Sequence, residues 1–403
     1  MLKMTRIKLL IFVSALLCVP FVNANMTDAL RWGAFVSQGM AYSSDNHLYG
    51  DSDDGMSTEL DEFGAWGSYA FNPSISFTGQ VSMRDLGALE NGSASVDYAF
   101  GSYLFLQNMD QVAGVRIGRI RSAFGLYNEI RDAPHTRSSI IMPQSIYNDR
   151  LRKTLFSSDG IEVYGSWQID FNQLSYQFFY GESHIDNDEI DEISTVDIGG
   201  GLSDVDLATV GGDPEGDETF IARVIYEIDA GTWRFGLTYS RPKYHYEDKT
   251  GVAVIGGVSF PLKDGSIRRR AIISSIEYNH LDWSVSAEYI RDTRRTDGIF
   301  VGFDSGNSHG EGYYLQVIHR PNERLDIITR YDVSHQDRTD RSSPLNNTRD
   351  FTIGAGYRPK HNWLIRSELH LVQGMSWLST VDNVGVNSHE HWNAFLLQVS
   401  YHW

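Results

Sequence analysis

From Trp233 to Tyr239 every second residue is large and apolar: Trp233, Phe235, Leu237 and Tyr239, set against Arg234, Gly236 and Thr238. The same period returns as Trp283, Val285, Ala287, Tyr289, as Phe351, Ile353, Ala355, Tyr357, and as Trp363, Ile365, Ser367, Leu369, Leu371. It closes the chain as Phe395, Leu397, Val399, Tyr401, Trp403. A period of two over about ten residues is the mark of a strand with one apolar face. It predicts sixteen strands, at 29–42, 58–71, 74–85, 94–107, 112–121, 159–169, 171–182, 219–229, 231–242, 268–280, 281–292, 310–320, 323–335, 349–359, 361–373 and 391–403. No convincing helical period follows residue 24, and no later apolar run reaches the roughly 20 residues a membrane-crossing helix needs.

The connections alternate in length. Short ones occur at Asn72-Pro73, 107–111, Asp170, Ala230-Gly231, His280-Leu281, Pro321-Asn322 and Lys360-His361, several with Gly, Pro, Asn or Asp as tight turns require. Long ones occupy 43–57, 86–93, 122–158, 183–218, 243–267, 293–309, 336–348 and 374–390. Seven short turns and eight long loops place both ends of the sheet on the short-turn side. That asymmetry, an even strand count and aromatic residues at the ends of the apolar rows predict a transmembrane antiparallel β-barrel with short periplasmic turns and long external loops. A mean hydropathy of −0.31 agrees, because alternation averages apolar and polar rows. A soluble sandwich or propeller is the competing architecture, but it has no need of apolar rows facing outward all round.

The first residues supply the export signal. Lys3, Arg6 and Lys8 precede an apolar run from Leu9 to Val22, and Val22-Asn23-Ala24 offers small residues for cleavage. Residues 1–24 are therefore expected to be a signal peptide and 25–403 the barrel domain. Cys18, the single cysteine, falls within the signal, so the mature chain is expected to lack thiol chemistry. The net charge of −18 becomes −21 without those three cations, which argues against nucleic acid as a partner.

Charge then shapes the expected interior. The rows opposite the apolar ones hold Arg31, Arg84, Arg116, Arg223, Arg234, Arg330, Arg358 and Arg366 with Asp97, Glu162, Glu227, Glu277, Glu288, Asp326, Asp332 and Glu368. Such side chains suit a wet lumen, or they pair with one another along its wall. Loop 122–158 is unusual. It carries Phe124, Leu126, Tyr127, Ile140, Ile141, Met142, Ile146 and Tyr147, which need something to pack on. Around it stand Arg119, Arg121, Arg131, Arg137, Arg150, Arg152 and Lys153 against Glu129, Asp132 and Asp149. This composition predicts a loop folded inward to form a basic constriction, lined from these residues and Arg116, with a preference for anions.

The stretch GLYNEIRDAPHTRSSIIMPQSIYNDRLR, followed by SSDG and YG, resembles a segment of porin-like outer-membrane proteins of Gram-negative bacteria near the phosphate-selective porins. The resemblance is specific over about 45 residues and architectural elsewhere. It implies a trimeric diffusion channel for small hydrophilic solutes or ions in the bacterial outer membrane, among lipid and lipopolysaccharide. No lysine cluster for phosphate is matched, since the loop holds only Lys153. A C-terminal strand of alternating aromatics also resembles the signal read by the outer-membrane assembly machinery.

Other chemistry finds little support. The acidic run from Asp186 to Glu218 matches no calcium-loop spacing and reads as a solvated loop. The sequence has no HExxH, GxSxG or phosphate-binding loop, and no cofactor or metal is implied. Ser388-His389-Glu390 is the nearest approach to a catalytic trio, but sequence neighbours rarely form one. An outer-membrane barrel hydrolase is the alternative function.

Overall fold

The computed structural model describes residues 29–87, 89–183, 213–248, 252–255, 258–300, 305–379, 382–383 and 389–403. The signal peptide expected over 1–24 and most of the acidic connection lie outside them. The chain forms a closed antiparallel barrel of sixteen strands. They are β1 (Leu30–Ser43), β2 (Asp61–Asn72), β3 (Ile75–Asp85), β4 (Asn91–Gln107), β5 (Gln111–Arg121), β6 (Ser157–Ile169), β7 (Asn172–Ser183) and β8 (Glu218–Ile228, continued by Asp213–Gly216). There follow β9 (Trp233–Arg241, continued by Lys243–Glu247), β10 (Val258–His280), β11 (Trp283–Phe300), β12 (Ser305–Asn322), β13 (Leu325–His335), β14 (Asn347–Tyr357), β15 (Trp363–Gly374) and β16 (His391–His402).

Each strand pairs with its neighbour, and β16 returns to β1 with Phe35 opposite His402 through to Ser43 opposite Ala394. The terminal Trp403 donates its backbone N–H to the carbonyl of Ala34 at 2.9 Å and packs edge-on against Tyr401. The aromatic end is thus a seam. In hydrocarbon an open edge would leave backbone groups unsatisfied, and closure removes it.

The alternation sets the two faces. Phe77, Tyr103, Ile117, Ile161, Leu237, Ile272, Leu315 and Ile353 stand exposed on the outside. Their strand neighbours Ile120, Glu162, Thr238, Ile273, Tyr314 and Thr352 are buried within. An outer surface this apolar suits lipid.

Two connections expected as long loops are largely strand. Lys243–Glu247 pairs with β10, and β10 and β11 remain paired up to Leu262 opposite Phe300. These extensions carry polar residues on both faces, so the apolar period that reveals the lower strands is absent from them. The connection expected over 86–93 is also shorter, since β4 resumes at Asn91.

Candidate functional site

The chain leaves β5 at Arg121 and enters β6 at Ser157, and the segment between lies inside the barrel. Its apolar residues dock on three parts of the inner wall. Ala123 joins Ile120, Phe179 and Ile221. Phe124, Met142, Ile146, Tyr147 and Leu155 pack with Ala271, Ile273, Ile290 and Tyr314. Ile140 and Ile141 join Leu60, Val372, Trp377 and Trp392 on the opposite side. Local turns make this path possible. Gly125 adopts φ +62°, Pro143 accepts from the N–H groups of Ile146 and Tyr147, and Asn148 caps the 3-10 turn Asp149–Leu151, which leads into the short helix Arg152–Phe156.

Polar latches fasten the same segment around the wall. Arg223 on β8 donates to the carbonyl of Gly125 at 2.8 Å and to Glu129. Tyr127 donates to Glu277 on β10. Glu288 on β11 accepts from the Leu126 N–H at 3.0 Å, from Tyr147 and from Tyr314. Asp332 on β13 accepts from the N–H of Gln144 at 2.6 Å, and Arg330 donates to the carbonyl of Ile141 at 2.9 Å. Glu368 on β15 accepts from the N–H groups of Ile140 and Ile141, while Arg366 donates to the carbonyl of Pro134 at 2.7 Å. Arg137 reaches Glu62 on β2 through both terminal nitrogens and Gln398 on β16 at 3.3 Å. Gln80 on β3 donates to Asp132 at 2.6 Å. The segment is therefore tied to strands all round the lumen.

Burial of these groups shows in their acidities. Arg152 is pushed down to about 10 by burial and by Arg84 and Arg131 beside it. Burial, then the carboxylates of Glu277 and Glu288, raise the Tyr127 and Tyr147 hydroxyls well above the ordinary range. Both phenols therefore stay protonated and act as donors.

Open space remains on either side of the segment. On the long-loop side a cavity of about 120 Å³ is bordered by Arg150, Arg269 and Arg294 together with Asp292. On the short-turn side a cavity of about 250 Å³ is bordered by Arg137, Arg234, Arg320, Arg358 and Arg366 together with Glu277 and Asp326. In both, arginines outnumber carboxylates. The Arg294 side chain makes no hydrogen bond or ion pair among the described residues, and the Arg320 side chain reaches only the Ser284 hydroxyl at 2.8 Å.

No family model matches this chain, and no curated protein does. Solved structures do match. The outer-membrane protein OmpT of Vibrio cholerae, in its trimer form, aligns with TM-score 0.57 at 11% identity over 93% of this chain and 99% of its own. The anion-selective porin of Comamonas acidovorans aligns with TM-score 0.55 at 13% identity over 93% and 99%. The outer-membrane channel DcaP of Acinetobacter baumannii gives 0.53 at 11% over 93% and 97%. The chain has the fold of the outer-membrane porins. At these identities the likeness speaks to fold alone.

Within this porin fold the residues expected at the constriction take several places. Arg131, Asp132, Arg137, Arg150 and Arg152 are buried. Arg131 donates to the Tyr147 carbonyl at 2.9 Å and to Asp149 at 2.7 Å, and Arg152 donates to the Arg131 carbonyl at 3.2 Å. Arg150 donates to the Ser376 carbonyl at 3.1 Å and borders the long-loop cavity. Arg121 binds the Glu129 carbonyl at 2.6 Å and stacks on the Tyr98 ring, and Arg116 binds Glu162 at 2.7 Å. Arg119 corrects the expectation. It stands in the outward row of Ile117 and pairs with Asp159 at 2.9 Å, because strand alternation continues unbroken to that point. The Lys153 side chain lies outside those described.

Sequence reasoning placed Arg84, Arg223, Glu277, Glu288, Arg330, Asp332 and Glu368 on the inner wall, but not what they hold. It missed Glu62, Gln80, Tyr314 and Gln398, which share the inward rows and would have been found by carrying the parity through each strand. It also missed Arg269, which lies at the start of the strand expected over 268–280, and Arg294, which lies on the polar extension of β11.

Proposed function

We propose that this chain is an outer-membrane porin, a passive channel for small hydrophilic solutes with a preference for anions. The observation that carries this reading is the inward segment 122–156, which crosses the lumen between two arginine-bordered cavities. Solute passes between that segment and the wall, and the segment is the constriction. Burial turns Arg131, Arg137, Arg152 and Arg366 into fasteners, so the field met by solute comes chiefly from Arg294 on one side and Arg320 and Arg358 on the other. The low-dielectric walls of a narrow wet channel focus such fields, whereas exposed acidic loops are screened within about 8–10 Å in physiological salt. The trimer form of a structural neighbour supports a homotrimer.

The test is the zero-current potential of residues 25–403 in a planar bilayer under a KCl gradient. Stable conductance steps with anion preference are expected. Arg294→Ser, Arg320→Ser and Arg358→Ser, combined, should lower that preference. Cation preference in the parent, or an unchanged preference in the variant, would sink the assignment. A folded barrel that never conducts would sink the channel itself.

A further inference from the structure

The outer wall carries a feature that diffusion through the lumen leaves unexplained. Ala271, Ile273 and Ile290 face inward, packed against the inward segment, so Arg268, Arg270, Arg291 and Arg295 face outward. All four are exposed. In the β10–β11 ladder Arg268 is the direct partner of Arg295, and Ile272 of Arg291. Like charges directly opposed on one face of a sheet disfavour the pairing. One carboxylate, Asp297, serves that pair, 2.8 Å from Arg295 and 3.6 Å from Arg268. The Arg270 and Arg291 side chains make no hydrogen bond or ion pair among the described residues. Glu311, the cross-strand partner of Arg291 on β12, is taken by Arg341 at 3.0 Å.

Depth is the second observation. Tyr289 and Tyr313, partners on β11 and β12, end the outward apolar rows on the long-loop side. Arg291 follows Tyr289 by two residues and Arg295 by six. At the rise of a tilted strand, the arginines stand between about 5 and 15 Å above that aromatic level. This is the zone just outside the hydrocarbon, where lipid headgroups lie.

We propose that Arg268, Arg270, Arg291 and Arg295 form an outward-facing site for the phosphate groups of an outer-leaflet lipid, the lipopolysaccharide of the membrane read above. The inference rests on the outer-membrane reading. Guanidinium forks suit phosphate oxygens, and two unpaired forks next to an opposed pair can hold more than one phosphate. The bound anion would also relieve the repulsion between Arg268 and Arg295.

The test measures retention of diphosphoryl lipid A by the full mature barrel in detergent, using native mass spectrometry after detergent exchange. Dephosphorylated lipid A and inorganic phosphate are the other probes. The barrel should retain the diphosphoryl lipid and release the dephosphorylated one. The double variant Arg270→Ser, Arg291→Ser should lose affinity by about 100-fold, the loss of two charge-assisted hydrogen bonds. Its single-channel conductance should match the parent, because both residues face away from the lumen, and that match also shows that it folds. Arg270→Lys with Arg291→Lys serves if the serine variant does not fold, and should retain the lipid more weakly than the parent. Equal retention by variant and parent, or equal retention of both lipids, overturns the proposal. So does full displacement by inorganic phosphate, which would make the ligand a free anion. A parent barrel that retains the lipid but does not conduct sinks the porin reading and leaves this site standing.

Discussion

Changing Arg137 to Met tests how the inward segment is held. Arg137 and Glu62 are both almost fully buried, and the pair joins the segment to β2. Removing the cation leaves Glu62 beside Gln398 at 3.2 Å and the Arg84 side chain at 3.8 Å. Breaking a buried ion pair from one side costs about 3–5 kcal/mol. The barrel can avoid that cost without losing strand hydrogen bonds, because releasing the segment lets water reach Glu62. A penalty of this size raises the released population by a factor of about 10² to 10³ or more. Single-channel recordings should therefore show frequent excursions to a higher conductance, and limited proteolysis should cut within 122–156. Adding Glu62→Gln should reverse most of the effect, since a neutral amide can still bond Gln398. Recordings and proteolysis identical to the parent would refute the latch. A barrel that lost its heat-modifiable form would refute the claim that the segment is the weaker element.

Other expectations concern the same segment. Tyr147→Phe removes a donor to Glu288 and an acceptor for the Tyr127 N–H at 2.9 Å, and should weaken docking by about 1–3 kcal/mol, read as faster proteolysis of the segment. Gly125→Ala should act in the same direction, because φ is +62° and a Cβ would lie 2.5 Å from the Tyr147 hydroxyl; unchanged proteolysis would contradict this. His135 is pushed down to about 4 by burial and by His402, Arg366 and Arg137 nearby. An ordinary histidine titrates near 6.5, so the released segment takes up a proton that the docked one refuses. Docking should therefore be undiminished above about pH 6.5 and weaken as the pH falls toward 4, with His135→Phe flattening the dependence of conductance on pH in that window. Deleting Trp403 removes the backbone bond to Ala34 and the packing on Tyr401, and should lower the yield of heat-modifiable barrel on refolding into vesicles.

The barrel was legible because lipid imposes one rule on every strand. Outward residues such as Leu237, Ile353 and Phe395 must be apolar, so the period of two is written into the chain itself, and turn lengths supply the orientation. That rule ends at the membrane surface. Thr293–Phe300 and Ser305–His309 are paired strands, yet polar residues there such as Thr293, Arg295 and Asn307 meet water and set up no apolar period, so these stretches read as loops. The inward course of 122–156 was suggested by its own apolar residues, since Ile140, Ile141 and Met142 have no place in a solvated loop. Its partners were another matter. Glu62, Glu288 and Glu368 come from distant strands, and nothing local distinguishes a carboxylate that holds an arginine or a backbone N–H of the segment from one that faces water. Local alternation thus determined the strands, their faces and their order. Only the closed barrel decided which charges are buried fasteners and which border open space, because those assignments depend on what stands opposite across the lumen.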